Sequence, residues 1–217
     1  MKPKLHIEVV VSELFQENAY LAYLEDHHEC VVFDPGSDFR EILAKIGQFE
    51  LALAAIINTH GHGDHIAGNA GLKEAWPAAR LVIGERDATK LTNPAENLSR
   101  SFGFDLISPA ADQTVHEGDV LAAAGIELEV FETPGHSIGH VAFVWKTTTP
   151  WIVFSGDVLF QGGIGRTDFP DGSFAQLEAS IRTKLYVLPP DTIVLPGHGP
   201  PTTIGDEMQN NPFVRGL

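Results

Sequence analysis

Three observations predict an α/β fold in which two βα halves stack sheet to sheet with helices outside, an αββα sandwich. Short apolar runs of strand length recur through both halves of the chain. Helical periodicity appears only between and after them, as expected when helices cover the outer faces of two sheets. Finally, each Gly-rich segment bearing a histidine or aspartate follows directly on such a run. The 217 residues suit one domain over 1–217, since no Ser- or Pro-rich linker and no low-complexity segment divides the halves.

The elements follow in order. Leu5-His6-Ile7-Glu8-Val9-Val10-Val11, Ala19-Tyr20-Leu21-Ala22-Tyr23-Leu24 and Val31-Val32-Phe33 alternate apolar and polar residues between turns and predict antiparallel strands. Phe39, Ile42, Leu43 and Ile46 then recur at helical spacing behind a Ser37 or Asp38 cap. Leu53-Ala54-Ala55-Ile56-Ile57 is wholly apolar, the mark of a strand covered on both faces. A helix over 66–76 and a strand over 80–84 follow. Residues 92–110, rich in Pro, Ser and Phe, predict an irregular lid or substrate wall. Strands are predicted at 120–123, 126–131, 141–145, 151–154 and 192–195. Phe174, Leu177, Ile181 and Leu185 place a helix over 173–188.

Composition excludes several classes. With 29 acidic and 14 basic residues the formal charge is −15, a field that repels nucleic-acid phosphates and argues against a nuclease. No apolar run approaches the ~18 residues of a membrane span. The basic start Met1-Lys2-Pro3-Lys4 is followed by an apolar stretch broken by His6 and Glu8, without a small-residue cleavage site, so a cytoplasmic location is expected. Cys30, the lone cysteine, sits in an apolar run and reads as a packed hydrophobe.

The chemistry lies in the histidines. Thr59-His60-Gly61-His62-Gly63-Asp64-His65 sets three imidazoles and a carboxylate among glycines that let the chain turn tightly. Pro134-Gly135-His136, Ser155-Gly156-Asp157 and Pro196-Gly197-His198 each add a donor past a strand end. Imidazole and carboxylate are the usual donors for zinc and similar ions. A closed structural zinc uses about four ligands, whereas seven are offered here and none is cysteine. The set therefore predicts two divalent ions. With Asp157 bridging, one takes His60, His62 and His136, the other Asp64, His65 and His198. Zinc is the first expectation; iron or manganese also suits these donors.

The pattern His60-x-His62-x-Asp64-His65 followed by His136, Asp157 and His198 resembles the metallo-β-lactamase superfamily at all seven positions. The segment from Gly162 to Pro170 and the tail from Thr203 to Phe213 resemble the short bacterial glyoxalase II-like hydrolases. The resemblance implies an αββα fold of the metallo-β-lactamase type with the site at the sheet edge. It also implies hydrolysis of a small-molecule thioester such as S-lactoylglutathione, by a monomer or small homo-oligomer. Asp64 is the candidate catalytic residue that orients the attacking water and accepts its proton. Arg166 stands where the family places a basic contact to the substrate's anionic end, against the alternative of an internal salt bridge to Asp168 or Asp171. Asp168 replaces the aromatic contact of the long-form enzymes, and only a short tail follows His198 where those enzymes carry a helical domain.

Three alternatives stay open. A mononuclear iron persulfide dioxygenase would use His60, His136 and Asp157 as its triad. A lactonase or β-lactamase would activate water in the same way on another carbonyl. A non-catalytic module would bind metal without turnover. His140, four residues after His136, reads more readily as a packed histidine than as a partner of the site. Phe102, Phe104, Phe160 and Phe169 are candidates for the pocket wall.

Overall fold

The computed structural model describes residues 4–215; Met1 to Pro3, part of the basic start weighed as a leader, lie outside the described residues, as do Gly216 and Leu217. The first sheet is built in chain order from β1 Leu5–Val11, β2 Asn18–Leu24, β3 Glu29–Phe33, β4 Ala52–Asn58, β5 Arg80–Gly84 and β6 Gln113–Val115. Its first three strands pair antiparallel through tight connections, and the rest pair parallel. Parallel pairing needs a crossover. Helix α1 Phe39–Gln48 supplies the one from β3 to β4, and α2 Gly63–Ile66 with α3 Asn69–Ala75 the one from β4 to β5.

The second sheet contains β7 Val120–Ala123, β8 Ile126–Glu132, β9 Val141–Trp145 and β10 Ile152–Gly156. A two-stranded ribbon, β11 Leu159–Phe160 with β12 Gly163–Ile164, stands apart from it. Helix α4 Phe174–Ser180, capped by Ser173, then leads through a wider turn at Ile181–Leu185 to β13 Ile193–Pro196, β14 Thr202–Thr203 and α5 Ile204–Asn210. The order in the sheet is β14-β13-β10-β9-β8-β7, with β10 and β13 parallel.

Three apolar layers hold the sandwich. Between the sheets Val31, Ile57, Val82, Val130, Phe143 and Phe154 pack together, and Phe33 stacks on Phe154 with centroids 3.7 Å apart. Ile42, Ile46 and Leu72 close the outer face of the first sheet over Ile56 and Leu81. Leu177, Ile181 and Ile204 do the same for the second, over Val153 and Val194. Cys30 is fully buried in the second of these layers, which gives the αββα order outside to outside.

Several elements depart from expectation. The helix expected over 66–76 is interrupted at Gly68, where a Cβ would lie 2.7 Å from the Gly36 carbonyl oxygen, so the close pass of two loops replaces the helix interior. Asp38 begins α1 without capping it; its carboxylate instead accepts from the Glu13 N–H. The helix expected over 173–188 ends at Leu185. Strands β6, β11, β12 and β14 and helix α5 were not expected, being too short or too polar to carry a periodic signal. Residues 92–110 are irregular apart from one tight turn, Ser99–Phe102.

Candidate metal centre

β3, β4, β8, β10 and β13 all point their carboxyl ends at one edge of the sandwich, and the chain leaving them carries the donors. β4 delivers His60, His62, Asp64 and His65; β8 delivers His136, β10 Asp157 and β13 His198. All seven expected donors converge there. Two triads, His60/His62/His136 and Asp64/His65/His198, each hold their donor atoms within 4.8 Å of one another.

The separations fit shared ions better than hydrogen bonds. Asp157 Oδ2 lies 3.5 Å from His136 Nε2 and 3.6 Å from His198 Nε2, and its Oδ1 lies 3.4 Å from His65 Nε2. Asp64 Oδ2 lies 3.4 Å from His198 Nε2 and 3.7 Å from His65 Nε2. Two donors about 2.0–2.2 Å from one tetrahedral ion stand about 3.3–3.6 Å apart. Asp157 faces members of both triads, and Asp34, grouped with His60 and His65, stands behind a histidine of each. Asp157 Oδ1 and the Nε2 atoms of His60 and His65 are buried without a hydrogen-bond partner, a cost that an ion would remove. His62 Nδ1 and His136 Nε2 face each other at 2.9 Å, an approach that needs a proton or a cation to be favourable.

Neighbours fix the ring orientations. His65 Nδ1 donates to Asp34 Oδ2 at 3.2 Å, His136 Nδ1 to the Arg166 carbonyl at 2.8 Å, and His198 Nδ1 to the Gln16 carbonyl at 3.2 Å. The Thr59 hydroxyl donates to Asp34 Oδ2 at 2.7 Å, so it accepts from His60 Nδ1 at 3.1 Å. Each of these four rings thus turns its Nε2 inward, as supporting contacts do for metal-bound histidines. Asp34 was not singled out in the sequence. It ends β3, adopts φ 43°, and also accepts from the Thr59 N–H at 2.7 Å.

His140 is the clearest correction. Its Nδ1 donates to Thr133 Oγ1 at 3.0 Å and its Nε2 accepts the Asp157 N–H at 3.1 Å, so it anchors the backbone of the carboxylate that faces both triads. Burial, reinforced by His136, holds it well below the usual histidine pKa, as its acceptor role requires. Gly156 completes the fit with φ 47°; a Cβ there would lie 2.3 Å from Thr59 Oγ1 and 2.7 Å from His140 Nε2. A third support is buried behind the ligand loops. Asp87 accepts from the Gly61 N–H at 2.9 Å, the Gly139 N–H at 2.8 Å and the Ser137 hydroxyl, with Lys90 Nζ at 3.0 Å.

Electrostatics suit cation binding. Burial first, then neighbouring imidazoles, push His60 and His62 well below the usual histidine range, leaving neutral donors. Burial disfavours the Asp157 and Asp64 charges, but His65 and His198, joined at Asp157 by His136, together outweigh it and keep both carboxyls below their ordinary value.

Above the donors opens a cavity of about 260 Å³, walled by Phe102 and Phe104 from the 92–110 stretch and by Phe160 and Phe169. Phe15, from the β1–β2 connection, joins them and meets Phe102 edge to face at 5.6 Å. Arg166 lines the same cavity, yet its guanidinium makes a two-point pair with Asp168 at 3.0 and 2.9 Å and lies over the Phe169 ring. Asp171 pairs with Lys90 instead.

The Metallo-beta-lactamase superfamily profile matches residues 13–198, which include every donor. The chain belongs to the metallo-β-lactamase superfamily. Within it, the chain is 37% identical to hydroxyacylglutathione hydrolase GloC of Haemophilus influenzae over 212 residues, covering 97% of this chain and 98% of that one. The BLEG-1 B3 metallo-beta-lactamase structure superposes with a TM-score of 0.91 at 37% identity, covering 96% and 99% of the two chains. TTHA1623 in a di-iron-bound form superposes at 0.83 and 37%, covering 95% and 100%. Among the described residues no helix is long and apolar enough to cross a membrane.

Proposed function

We propose that this metallo-β-lactamase superfamily member hydrolyses small-molecule thioesters at a two-metal centre, with Asp157 shared by the two donor triads. The observation that carries the reading is the position of Asp157 between His136 and His65, at the floor of an open cavity. Two divalent ions held there would lower the pKa of an intervening water from 15.7 toward ~7 and polarise a carbonyl oxygen. Zinc, iron and manganese all suit the nitrogen and oxygen donors.

The chain's own residues supply the rest. Asp64 lines the cavity, ionised, where its carboxylate would orient the water and take its proton. A C–O bond forms at the thioester carbon as its C–S bond breaks; water's oxygen enters the acid and the sulfur leaves. Thiol pKa values near 8.5 let the sulfur depart as thiolate without a general acid. The aromatic wall would border the reacting carbonyl with apolar surface, and Arg166 lines the same cavity. The hydrolase name of GloC supports this reading.

A β-lactam carbonyl is the second reading. The ligand set, with His65 and no cysteine, argues against the better-known lactamase sites, while the likeness to BLEG-1 favours it. The test is elemental analysis of the purified protein combined with S-lactoylglutathione hydrolysis, β-lactam hydrolysis and oxygen uptake with glutathione persulfide. About two metals per chain with thioester turnover is expected. One iron with oxygen uptake and no hydrolysis would replace this reading with a dioxygenase, and β-lactam turnover alone would replace it with a lactamase. In Asp64→Asn the turnover should fall sharply while the metal near His60 is largely kept.

A further inference from the structure

We infer that the thioester taken at this centre carries a neutral, apolar group on its sulfur, an aryl or alkyl thiol rather than an anionic peptide thiol. The inference rests on the thioesterase reading above and concerns which substrates that site accepts.

The first observation is the wall. Phe15, Phe102, Phe104, Phe160, Ile164 and Phe169 line the cavity from four separate segments of chain. Phe102 and Phe104 are 58% and 40% exposed, so covering each would remove on the order of 100 Å² of apolar surface from water. Exposed rings gathered around a reactive floor are a standing preference for an apolar occupant, because each one covered removes apolar surface from water.

The second observation is charge. Glutathione brings two carboxylates, which call for cations free to bind them. Arg166 is the one lysine or arginine lining the cavity among the described residues, and its charge is already paired: Asp168 takes Nε and a terminal nitrogen, and Phe169 lies under the plane. Arg100, on the turn that carries Phe102, is neutralised in the same way by Asp105, at 2.9 Å through both nitrogens. With a formal charge of −15, the rest of the surface adds no attraction for an anion.

Size points the same way. A cavity of about 260 Å³ lies just below the ~300–1,000 Å³ of drug-sized sites, and a 150 Å³ apolar cavity already holds benzene. One aromatic ring and a short acyl group fill it, whereas a tripeptide must extend past the exposed rings into solvent. Arg166 and Asp168 together therefore act as a specificity pair: the arginine is present, and the aspartate removes its claim on an anion.

The experiment compares two substrates with the same small acyl group, the lactoyl thioesters of glutathione and of benzyl thiol, on the metal-loaded enzyme. In parallel, calorimetry follows the uncleavable thioethers S-methylglutathione and S-benzyl-N-acetylcysteamine on metal-loaded and metal-free protein. kcat/KM should be higher for the benzyl thioester, by about tenfold, and the benzyl thioether should bind more tightly with or without metal. In Phe102→Ala that binding should weaken by about tenfold. In Asp168→Ala, which frees Arg166, the kcat/KM ratio should shift toward the glutathione thioester. Equal or faster turnover of the glutathione thioester, or an unchanged ratio in Asp168→Ala, overturns the inference and leaves the hydrolase standing. If neither thioester is cleaved, the thioesterase reading fails, and tighter binding of S-methylglutathione than of the benzyl thioether would then overturn the inference by itself.

Discussion

Asp34 Oδ2 takes the Nδ1 proton of His65 at 3.2 Å while the same oxygen holds the Thr59 hydroxyl at 2.7 Å, and through Thr59 it sets the ring of His60 as well. One carboxylate outside both donor triads of the proposed centre thus orients a histidine in each. Removing such a support costs about 10–100-fold in metal affinity. Asp34→Ala should weaken both ions by amounts in that range, measured by competition with a chelator, whereas loss of one ion alone would mean that the Thr59 relay to His60 is unimportant.

Asp157 faces both triads, so Asp157→Ala should leave far less than two metals per chain and abolish hydrolysis. Elemental analysis decides this. Two ions retained at wild-type affinity would remove the shared carboxylate from the centre.

His140 acts on Asp157 through the backbone N–H, which needs an acceptor in place of Nε2. His140→Phe should lower turnover and metal affinity together, and His140→Gln, which can still accept, should recover part of both. Equal loss in the two variants would mean that only the packing of the ring matters.

Asp87 joins the Gly61 and Gly139 backbones and is fully buried beside Lys90. Asp87→Ala strands these two N–H groups, each at about 1–3 kcal/mol, while Lys90 keeps Asp171 as its partner. The chain should lose stability by about that order in urea unfolding, and Asp87→Asn, which can still accept, should lose less.

Metal-free protein should lose stability as pH falls below about 6.5. His60, His62, His136 and His140 have folded pKa values below 6.5, chiefly from burial, so below that pH the unfolded chain binds more protons than the folded one. Burial lowers His65 and His198 too, but Asp64 and Asp157 outweigh it and raise both, so these two oppose the trend near pH 7 and add little slope below about pH 6, where the unfolded imidazoles are mostly protonated as well. Glu17, whose carboxyl burial keeps protonated, also opposes the trend, against the four lowered histidines. A melting temperature of chelator-treated protein that is flat or rising as pH falls from about 6 to about 5 would contradict this balance.

Much of this was legible in the residues. The strands β1 to β5 and β7 to β10 announce themselves because apolar runs of fixed period are local, and the donors do so because imidazoles and carboxylates cluster among glycines without a structural need. Asp34, His140 and Asp87 gave no such signal. An aspartate after a strand, or a histidine before one, looks the same whether it holds a ligand or ends a turn.

The sequence by itself determined the sandwich, the seven candidate donors and the family this chain resembles, since periodicity and donor chemistry are properties of short segments. Only the tertiary structure decided that Asp157 lies between the triads, that Asp34 and His140 hold their rings and backbone, and that Phe15 meets Phe102 over the cavity. These relationships join segments as far apart as Asn18 and Pro196, whose side chain and carbonyl meet at 3.0 Å across 178 residues. Such distances close only when the sheets stack, so no window of sequence holds them.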